Sequence, residues 1–384
     1  MSERTTSRLQ GLRVAVAGGS YAGVCAGLAL RCAGADVRIY ERSQNVLRVG
    51  GGIVVQPDFA EYLDAFGYAR PETVGVPTTG RRFLNRDGSV DHRSADATFY
   101  TAWDVLLSSL LASFPEERYL SGRAVIAADT TGDGVDLTFE DDSTDRVDLL
   151  IGADGVGSRL RQQFEPESTA DYAGYVGYRG LIPEASLSAE QLDVLRDHFV
   201  LYSYPHSHIL CYLIPGEQGE LAPGSRRLNW VWYITRNRAE FRELLTDRNG
   251  QEHRASIGPG EMSDAWRDRL CIDADTRLPP ALAQAIKMTA EPFAQGIFDL
   301  RVTKMVHRRV VLLGDAACVV RPHTAAGTSK AAADAIQLAQ MLEEAGGVTD
   351  AALAGWESVR STAAATIAAQ GKRIAAHGGL GGGG

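Results

Sequence analysis

The first part of the chain has the hydrophobic pattern of a parallel α/β fold. A continuous apolar run at residues 14–17 predicts a buried strand, and a glycine turn followed by small residues at 21–33 predicts a helix. Gly34 ends this helix, and a second apolar run at 36–40 predicts the next strand. A strand, a helix and a strand in this order require a parallel sheet, because the crossover brings the chain back in the same direction.

Beyond this βαβ unit the pattern changes to short alternating runs separated by Asp-Gly and Gly-Asp-Gly turns. These runs, at 81–92 and 123–155, predict antiparallel hairpins. Leucines at helical spacing between them predict a helix over 102–114. The middle third, 172–298, alternates aromatic and apolar residues, which predicts a second antiparallel sheet with one charged helix near 239–248.

The last part of the chain returns to the α/β pattern. A buried strand is predicted at 310–313. A loop follows it, and then an alanine-rich helix is predicted at 330–344. A surface helix is expected from Ala351 onward. The glycine-rich end, 378–384, offers almost no side chains to bury, so we expect it to be disordered.

Together these elements predict an α/β fold in which an antiparallel substrate sheet is inserted into a Rossmann-type nucleotide domain. The nucleotide domain is therefore expected to be discontinuous in sequence. The predicted parts are 10–80 with 98–170 and 300–345 for the nucleotide domain, 81–97 with 172–298 for the substrate-binding sheet, and 350–384 for the C-terminal helix and disordered glycine tail.

Composition excludes several classes of partner. A chain of 384 residues with a net charge of −9 lacks the clustered cations that nucleic acid requires. The five cysteines form no C-x-x-C pair and no Cys/His cluster, so we expect no metal site and a reducing, cytoplasmic environment. The polar N-terminus and the lack of a long apolar run give no sign of a membrane partner.

A glycine-rich turn between the first strand and helix is the first candidate for chemistry. It reads Gly18-Gly19-Ser20-Tyr21-Ala22-Gly23, where glycine permits a tight turn and a close helix, and the helix N-terminus offers free N–H groups to a pyrophosphate. Glu41 ends the second strand, where it can accept hydrogen bonds from a ribose, and Arg42 and Gln56 are further cofactor-binding candidates. The alternative is a structural turn that binds no nucleotide.

Two later motifs identify the nucleotide through a family resemblance. Asp154-Gly155 in DLLIGADGVGSRLR and Gly314-Asp315 in VVLLGDAACVVRPHTAAGTS resemble the paired signatures of the FAD-dependent aromatic-ring hydroxylases, the group A flavoprotein monooxygenases. Four further segments are similar to the group that contains the 2,6-dihydroxypyridine 3-monooxygenases, and the likeness extends over residues 12–345. These segments are GGGIVVQP (50–57), YAGYVGYRG (172–180), YLIPG (212–216) and RPHTAAG (321–327).

The resemblance implies a glutathione-reductase-like FAD domain, NADH or NADPH as the reductant, and dioxygen as co-substrate. It implies hydroxylation of a small, electron-rich aromatic or heteroaromatic ring, such as a hydroxypyridine, through a flavin C4a-hydroperoxide. A homodimer is expected by analogy only.

The resemblance also assigns cofactor contacts to residues of this chain. Asp315 is expected at the ribityl hydroxyls, and Asp154 is expected to bridge the flavin and pyridine-nucleotide functions, with Arg161 pairing across its loop. Near the pyrimidine end of the flavin the same family places Pro322, Ala325, Ala326 and Gly327. The backbone N–H groups of Ala325 to Gly327 suit the charge that collects there on reduction.

The candidates for catalysis are His323, Tyr212 and His208. His323 follows Pro322 in the loop expected beside the flavin, where a base or hydrogen-bond acceptor would activate a ring hydroxyl. Alternation places His208 and Tyr212 on one face of a strand, with Leu210 between them. The sequence leaves open which face of that sheet meets the pocket.

Three other functions remain open at this point. One is a flavin monooxygenase or epoxidase that acts on a larger polycyclic metabolite. Another is a flavin dehydrogenase or reductase. The third is a non-catalytic binding protein that uses the FAD fold to hold a lipid or a partner chain.

Overall fold

A computed structural model of the chain describes residues 8–46, 50–65, 67 and 70–381, and it has a mixed α/β fold, as predicted. Within these residues the strands are β1 (Arg13–Ala17), β2 (Asp36–Glu41), β3 (Gly52–Val55), β4 (Gly75–Thr78), β5 (Gly80–Leu84), β6 (Val90–Ser94), β7 (Thr98–Ala102), β8 (Tyr119–Ser121), β9 (Val125–Thr131), β10 (Gly134–Phe139), β11 (Thr144–Val147), β12 (Leu149–Gly152), β13 (Asp171–Pro183), β14 (His198–Tyr204), β15 (Ser207–Ile214), β16 (Arg227–Thr235), β17 (Ser256–Ile257), β18 (Phe293–Arg301), β19 (Val306–His307), β20 (Val310–Leu312) and β21 (Cys318–Val319).

The α-helices of the described residues connect these strands or cover the sheets. They are α1 (Tyr21–Cys32), α2 (Pro57–Ala65), α3 (Pro71–Val74), α4 (Trp103–Leu111), α5 (Arg159–Phe164), α6 (Ala189–Leu195), α7 (Arg238–Leu244), α8 (Asp264–Arg277), α9 (Pro280–Met288), α10 (Gly327–Ala345) and α11 (Asp350–His377).

The parallel sheet contains the first predicted strands. Its order is β19-β20-β12-β1-β2-β8, and β19 is antiparallel to its neighbour while the other pairs are parallel. Val16, Ile39, Leu150 and Val311 are fully buried in its core, because helices cover a parallel sheet on its faces. The hairpins β9–β10–β11 form a separate three-stranded antiparallel sheet beside it.

The second large sheet is built mainly from the middle third of the chain. Its order is β17-β18-β13-β16-β15-β14-β5-β6, and β5 pairs with β14 in parallel, so the early hairpin β5–β6 extends this sheet. One face carries Trp230 and Trp232, both fully buried in the hydrophobic core. The other face borders the cavity described below.

Helices α8 and α9 correct the expectation that 172–298 would hold strands and a single charged helix. Leu270 in α8 and Ile286 in α9 belong to the core that covers Trp230 and Trp232. The sequence DAWRDRLCIDADTR of α8 has few apolar residues, so its amphipathic pattern is too weak to predict a helix.

The end of the chain also differs from its prediction. Helix α11 packs on α10 through Trp356, which is fully buried, so the expected surface helix has a core face. The glycine-rich segment was expected to be disordered, but Leu380 is only 3 % exposed and its N–H donates to the carbonyl of Ala375. Apolar burial of this one leucine therefore fixes residues up to Gly381, while 382–384 lie outside the described residues.

Candidate active site

The glycine turn after β1 is confined by backbone on two sides. Gly18 has φ 107°, and a Cβ there would lie 2.3 Å from the carbonyl oxygen of Ala153. A Cβ on Gly23 would lie 1.8 Å from the carbonyl oxygen of Gly18. Both glycines are therefore required for the turn to fit between the sheet and the start of α1.

A cavity of about 520 Å³ opens at this turn, and several predicted nucleotide residues line it. They are Gly18, Ser20, Glu41, Arg42 and Asp154. The carboxylate of Glu41 accepts hydrogen bonds from the N–H groups of Gly19 at 2.7 Å and Ser43 at 2.8 Å, and its remaining lone pairs are available to a ligand.

The other members of the turn lie inside the fold. Gly19, Tyr21 and Gly23 are buried, and Ala22 packs against Gly314. The Tyr21 hydroxyl donates to the carbonyl of Trp103 at 2.7 Å, so its side chain is already satisfied. Only its backbone could take part in binding a nucleotide.

The Asp154-Gly155 and Gly314-Asp315 loops are tied together by a buried arginine. Arg161 is 4 % exposed and donates to the carbonyl of Ala316 at 3.2 Å. One oxygen of Asp154 accepts the N–H of Arg159 at 2.8 Å, and the other is buried with no hydrogen-bond partner among the described residues. An unpartnered buried acceptor beside the cavity fits a polar ligand that donates to it.

A larger cavity of about 700 Å³ lies where the second sheet meets the loop before α10. The predicted residues that line it are Gln56, His208, Tyr212, Asp315, Pro322, His323, Ala325 and Gly327; Ala326 is outside this lining. Asp315 is exposed to the cavity, and because it lies deep in the protein, burial raises the pKa of its carboxyl. A carboxyl in this position fits a ligand with several hydroxyl groups.

One face of β15 lines the cavity, and the other face packs into the core of the second sheet. His208, Leu210 and Tyr212 line the cavity, whereas Ile209 and Cys211 point into the opposite core. Tyr212 is 3 % exposed and packs at a ring distance of 4.3 Å on Tyr100, so burial raises the pKa of its hydroxyl. It remains a neutral phenol at physiological pH.

His323 belongs to a cluster of aromatic rings. Its Nε2 lies 2.8 Å from the hydroxyl of Tyr175, and its ring centre lies 4.9 Å from that of His208 and 4.6 Å from that of Tyr233. Burial, together with His208 and Arg321, lowers the pKa of His323 to about 3. Burial also lowers the pKa of His208 to about 4, so both rings are neutral near pH 7.

These two histidines should make the folded protein sensitive to acid. An unfolded chain takes up a proton on each histidine below about pH 6.5, whereas the folded protein keeps both rings neutral until a lower pH. Their contribution to stability is therefore complete above pH 6.5 and is lost progressively as the pH falls from about 6.5 to 4 for His208 and to 3 for His323. Between pH 7 and 5 we expect a loss of about 1–2 kcal/mol per histidine, measured by urea unfolding.

The control for this effect is an exposed histidine outside the cavity. The His208→Gln and His323→Gln variants should lose less stability between pH 7 and 5 than the parent protein, and the His92→Gln variant should behave like the parent. The same acid loss in all four proteins would contradict this account.

Sequence reasoning missed three contributors to this cavity. Arg179 lines it, Tyr175 holds His323, and Ile374 and His377 bring the end of α11 to its wall. Alternation along YAGYVGYRG places Tyr175 and Arg179 on one face of β13, so this signal was present in the sequence. Nothing in the sequence indicated that α11 would reach the cavity.

Two kinds of feature are absent from the described residues. None of their helices is long and apolar enough to cross a membrane. They also contain no group of three or more His, Cys, Asp or Glu side chains that could hold a metal ion.

Comparison with known proteins gives a consistent set of relatives. Residues 172–299 match a family model described as FAD binding domain-like. The chain is 33% identical over 341 residues to 2,6-dihydroxypyridine 3-monooxygenase of Paenarthrobacter nicotinovorans, covering 86% of this chain and 82% of that protein. It is 27% identical over 350 residues to 6-hydroxynicotinate 3-monooxygenase of Pseudomonas fluorescens, covering 88% and 84%.

The similarity extends to a solved structure. The structure of 2,6-dihydroxypyridine-3-hydroxylase from Arthrobacter nicotinovorans superposes with a TM-score of 0.90 at 29% sequence identity. The alignment covers 97% of this chain and 94% of that chain. Both the sequence and the fold are thus similar along nearly the whole molecule.

Proposed function

This chain belongs to the FAD-dependent aromatic-ring monooxygenases, and we propose that it hydroxylates a small, electron-rich, hydroxypyridine-like ring. The predictions of FAD as the cofactor and of an aromatic hydroxylase are confirmed by this membership, and NADH or NADPH and dioxygen are the usual co-substrates of the family. The observation that carries the proposal is the cavity of about 700 Å³ that is lined both by the Asp315 loop and by aromatic and histidine side chains.

We assign the binding of FAD to the two cavities and the loops between them. Bound FAD supplies the redox chemistry and the activation of dioxygen. The residues proposed to hold it are the turn 18–23, with Glu41 and Arg42 at the adenosine end, Asp154 between the two cavities, Asp315 at the ribityl chain, and Gln56, Pro322 and 325–327 around the ring.

The loop before α10 is shaped for this task. Ala325 has φ 52°, in the left-handed region, and α10 begins two residues later at Gly327. The turn therefore points the first N–H groups of a helix of 19 residues toward the cavity, where a helix N-terminus stabilises negative charge.

The neutral histidines and Tyr212 are proposed to orient the substrate ring. A neutral imidazole can donate or accept a hydrogen bond, and a neutral phenol can donate one, so these groups match ring hydroxyls and a ring nitrogen. The pKa of His323 is too low for a strong base at neutral pH, but an ionised ring beside it would raise that pKa. His323 would then accept the proton of a ring hydroxyl only when a substrate is present.

The aromatic walls exclude water from this reaction. Tyr100, Phe199, Tyr212 and Tyr233 border the cavity and pack against one another or against the histidines. A dry cavity strengthens the hydrogen bonds to the substrate and protects reactive species from water.

The proposal is tested by turnover of the FAD-loaded protein. Oxidation of NADH, and separately of NADPH, is followed in air with 2,6-dihydroxypyridine, 6-hydroxynicotinate or salicylate. The reaction is repeated under labelled dioxygen, and the mass of the product is measured by mass spectrometry. We expect at least one pyridine to accelerate the oxidation of NADH or NADPH by about tenfold or more, and its product to contain one labelled oxygen atom. Acceleration by larger polycyclic compounds alone would overturn the hydroxypyridine assignment.

The proposal extends to the compartment and the oligomeric state of the protein. Cys25, Cys211, Cys271 and Cys318 are free thiols, which supports a reducing compartment such as the cytoplasm. The homodimer expected by analogy stays a prediction, and light scattering of the FAD-loaded protein tests it.

A further inference from the structure

Arg179 has a position in the cavity that the assignments above do not explain. It lies in β13, opposite Val231 of β16 and Phe293 of β18, and it lines the cavity from the centre of the second sheet. A Cβ on Gly51 would lie 2.8 Å from its Nη1, so the glycine segment before β3 leaves room for the guanidinium. The cation therefore lies in the wall of the same cavity as Asp315.

Arg179 differs from the buried Arg226 and Arg236 because it lacks a carboxylate partner. Arg226 pairs with Glu184 at 2.7 Å, and Arg236 pairs with Asp273 at 2.9 Å. Among the described residues no acid lies within ion-pair distance of Arg179, and its buried Nε has no hydrogen-bond partner. The half-buried guanidinium of Arg179 offers its N–H groups to the cavity, and an anionic ligand would supply the missing partner.

A second unpartnered donor lies next to this guanidinium. Asn229 is fully buried, and its Oδ1 accepts the N–H of Gly52 at 2.8 Å. Its Nδ2 has no partner among the described residues, and Gly51 is a neighbour of both Asn229 and Arg179. The unpartnered N–H groups of Asn229 and Arg179 therefore both lie beside Gly51.

The ionisable side chains around the cavity are neutral or paired, or are themselves acidic, with the exceptions of Arg179 and His377. The ionisable side chains that line it, besides the tyrosines, are Arg81, Arg179, His208, Asp315, His323 and His377. His208 and His323 are neutral near pH 7, and Arg81 already has a carboxylate 3.6 Å away, that of Asp96. Arg179 is thus the cation without a partner within the described wall.

We infer that Arg179 is a specificity-determining residue that selects aromatic rings carrying a negative charge, either an ionised ring hydroxyl or a carboxylate. Guanidinium offers a planar fork of N–H donors that matches two oxygens of an anion. Selection of an ionised hydroxyl would also favour the electron-rich form of the ring. This inference rests on the proposed function, since it concerns the substrate of the same cavity.

Binding of three matched pyridines separates the sources of charge. The probes are 2,6-dihydroxypyridine with ionisable hydroxyls, 6-methoxynicotinate with a carboxylate only, and 2,6-dimethoxypyridine with neither. Binding to the FAD-loaded protein without NADH is followed at pH 8 by the change in visible flavin absorption. The first two probes should bind more tightly than the third in the parent protein.

The variants Arg179→Gln and Arg179→Lys carry the test, and Arg81→Gln is the matched control because it removes a cation that already has a partner. We expect Arg179→Gln to weaken the binding of the two charged probes by about 10- to 100-fold and that of the neutral probe by less than about threefold, because hydrogen bonds to charged groups are stronger than neutral ones. The Arg179→Lys variant should lose part of the affinity for the charged probes, and the Arg81→Gln variant should lose little of it. If the Arg179→Gln variant does not fold, the same comparison of the three probes with the Arg179→Lys variant tests the inference.

The dependence on pH identifies the group that Arg179 recognises. An ionised hydroxyl predicts that 2,6-dihydroxypyridine binds more tightly as its own hydroxyl ionises, whereas 6-methoxynicotinate binds equally well from pH 6 to 9. Equal losses for all three probes, or loss of FAD from both Arg179 variants, would overturn the inference. Turnover is not needed for this result, so a failure of the proposed reaction and a failure of the Arg179 role are distinguishable.

Discussion

The Asp334→Ala variant should lower the free energy of unfolding by about 3–5 kcal/mol and release much of the bound FAD. Asp334 is fully buried, and its carboxylate accepts from Lys330 at 2.8 Å and from Arg360 at 2.7 Å. It also accepts the backbone N–H of Gly314 at 3.2 Å. Alanine would leave two buried cations unpaired and remove the support of the loop that carries Asp315.

Urea unfolding followed by circular dichroism, together with the ratio of FAD to protein after purification, measures both effects. Asp334→Asn keeps the shape of the side chain and should give an intermediate loss. Glu344→Ala, at an exposed position of the same helix, is the matched control, with an expected change within about 0.5 kcal/mol. A loss for Asp334→Ala no larger than that of the control would show that the carboxylate has no such role.

Gly23→Ala should yield a protein that retains little FAD. The added Cβ would lie 1.8 Å from the carbonyl oxygen of Gly18, and this neighbour is backbone that cannot rotate away. The turn must therefore shift, which we expect to cost about 1–3 kcal/mol of folding stability and to weaken FAD by more than about tenfold. Equilibrium dialysis of the apoprotein against FAD measures the affinity.

Gly27 in the same helix gives the control for this change. A Cβ there would meet the Cδ1 of Ile39 at 2.8 Å and the ring of Phe114 at 2.9 Å, which are side-chain atoms that can adjust. Alanine also favours a helix interior over glycine by about 1 kcal/mol. Gly27→Ala should therefore keep FAD near the parent level, and equal losses in both variants would contradict a specific role of Gly23.

Local patterns predicted the parts of the fold that depend on neighbouring residues. The apolar runs predicted the bounds of β1 and β2 to within one residue. The turn after β1 has the tight backbone path that its glycines indicated. The side-chain alternation of β15 correctly grouped His208 with Tyr212. These features follow from the period of a strand and from the backbone freedom of glycine, both of which are visible in one sequence.

What the sequence could not supply depends on contacts between distant residues. That Arg179 lacks a carboxylate partner, while Arg226 and Arg236 each have one, is recognisable only when the carboxylates are located in space. The low pKa of His323 likewise depends on burial against rings from three other strands. Helix α8 was missed because its burial is set by the sheet it covers rather than by its own apolar pattern.

The path of α11 has a consequence for protein engineering. This helix starts on the core beside α10, and Ile374 and His377 near its end form part of the cavity wall together with Gly378, which follows the helix. His206 is hydrogen-bonded to the carbonyl of Gly379 at 2.7 Å. A library that varies only the residues after Ile374 would therefore remodel the space offered to a substrate while both large sheets and the cofactor turn keep their sequence. Such a library is a route to new substrate sizes that leaves the redox machinery of the protein untouched.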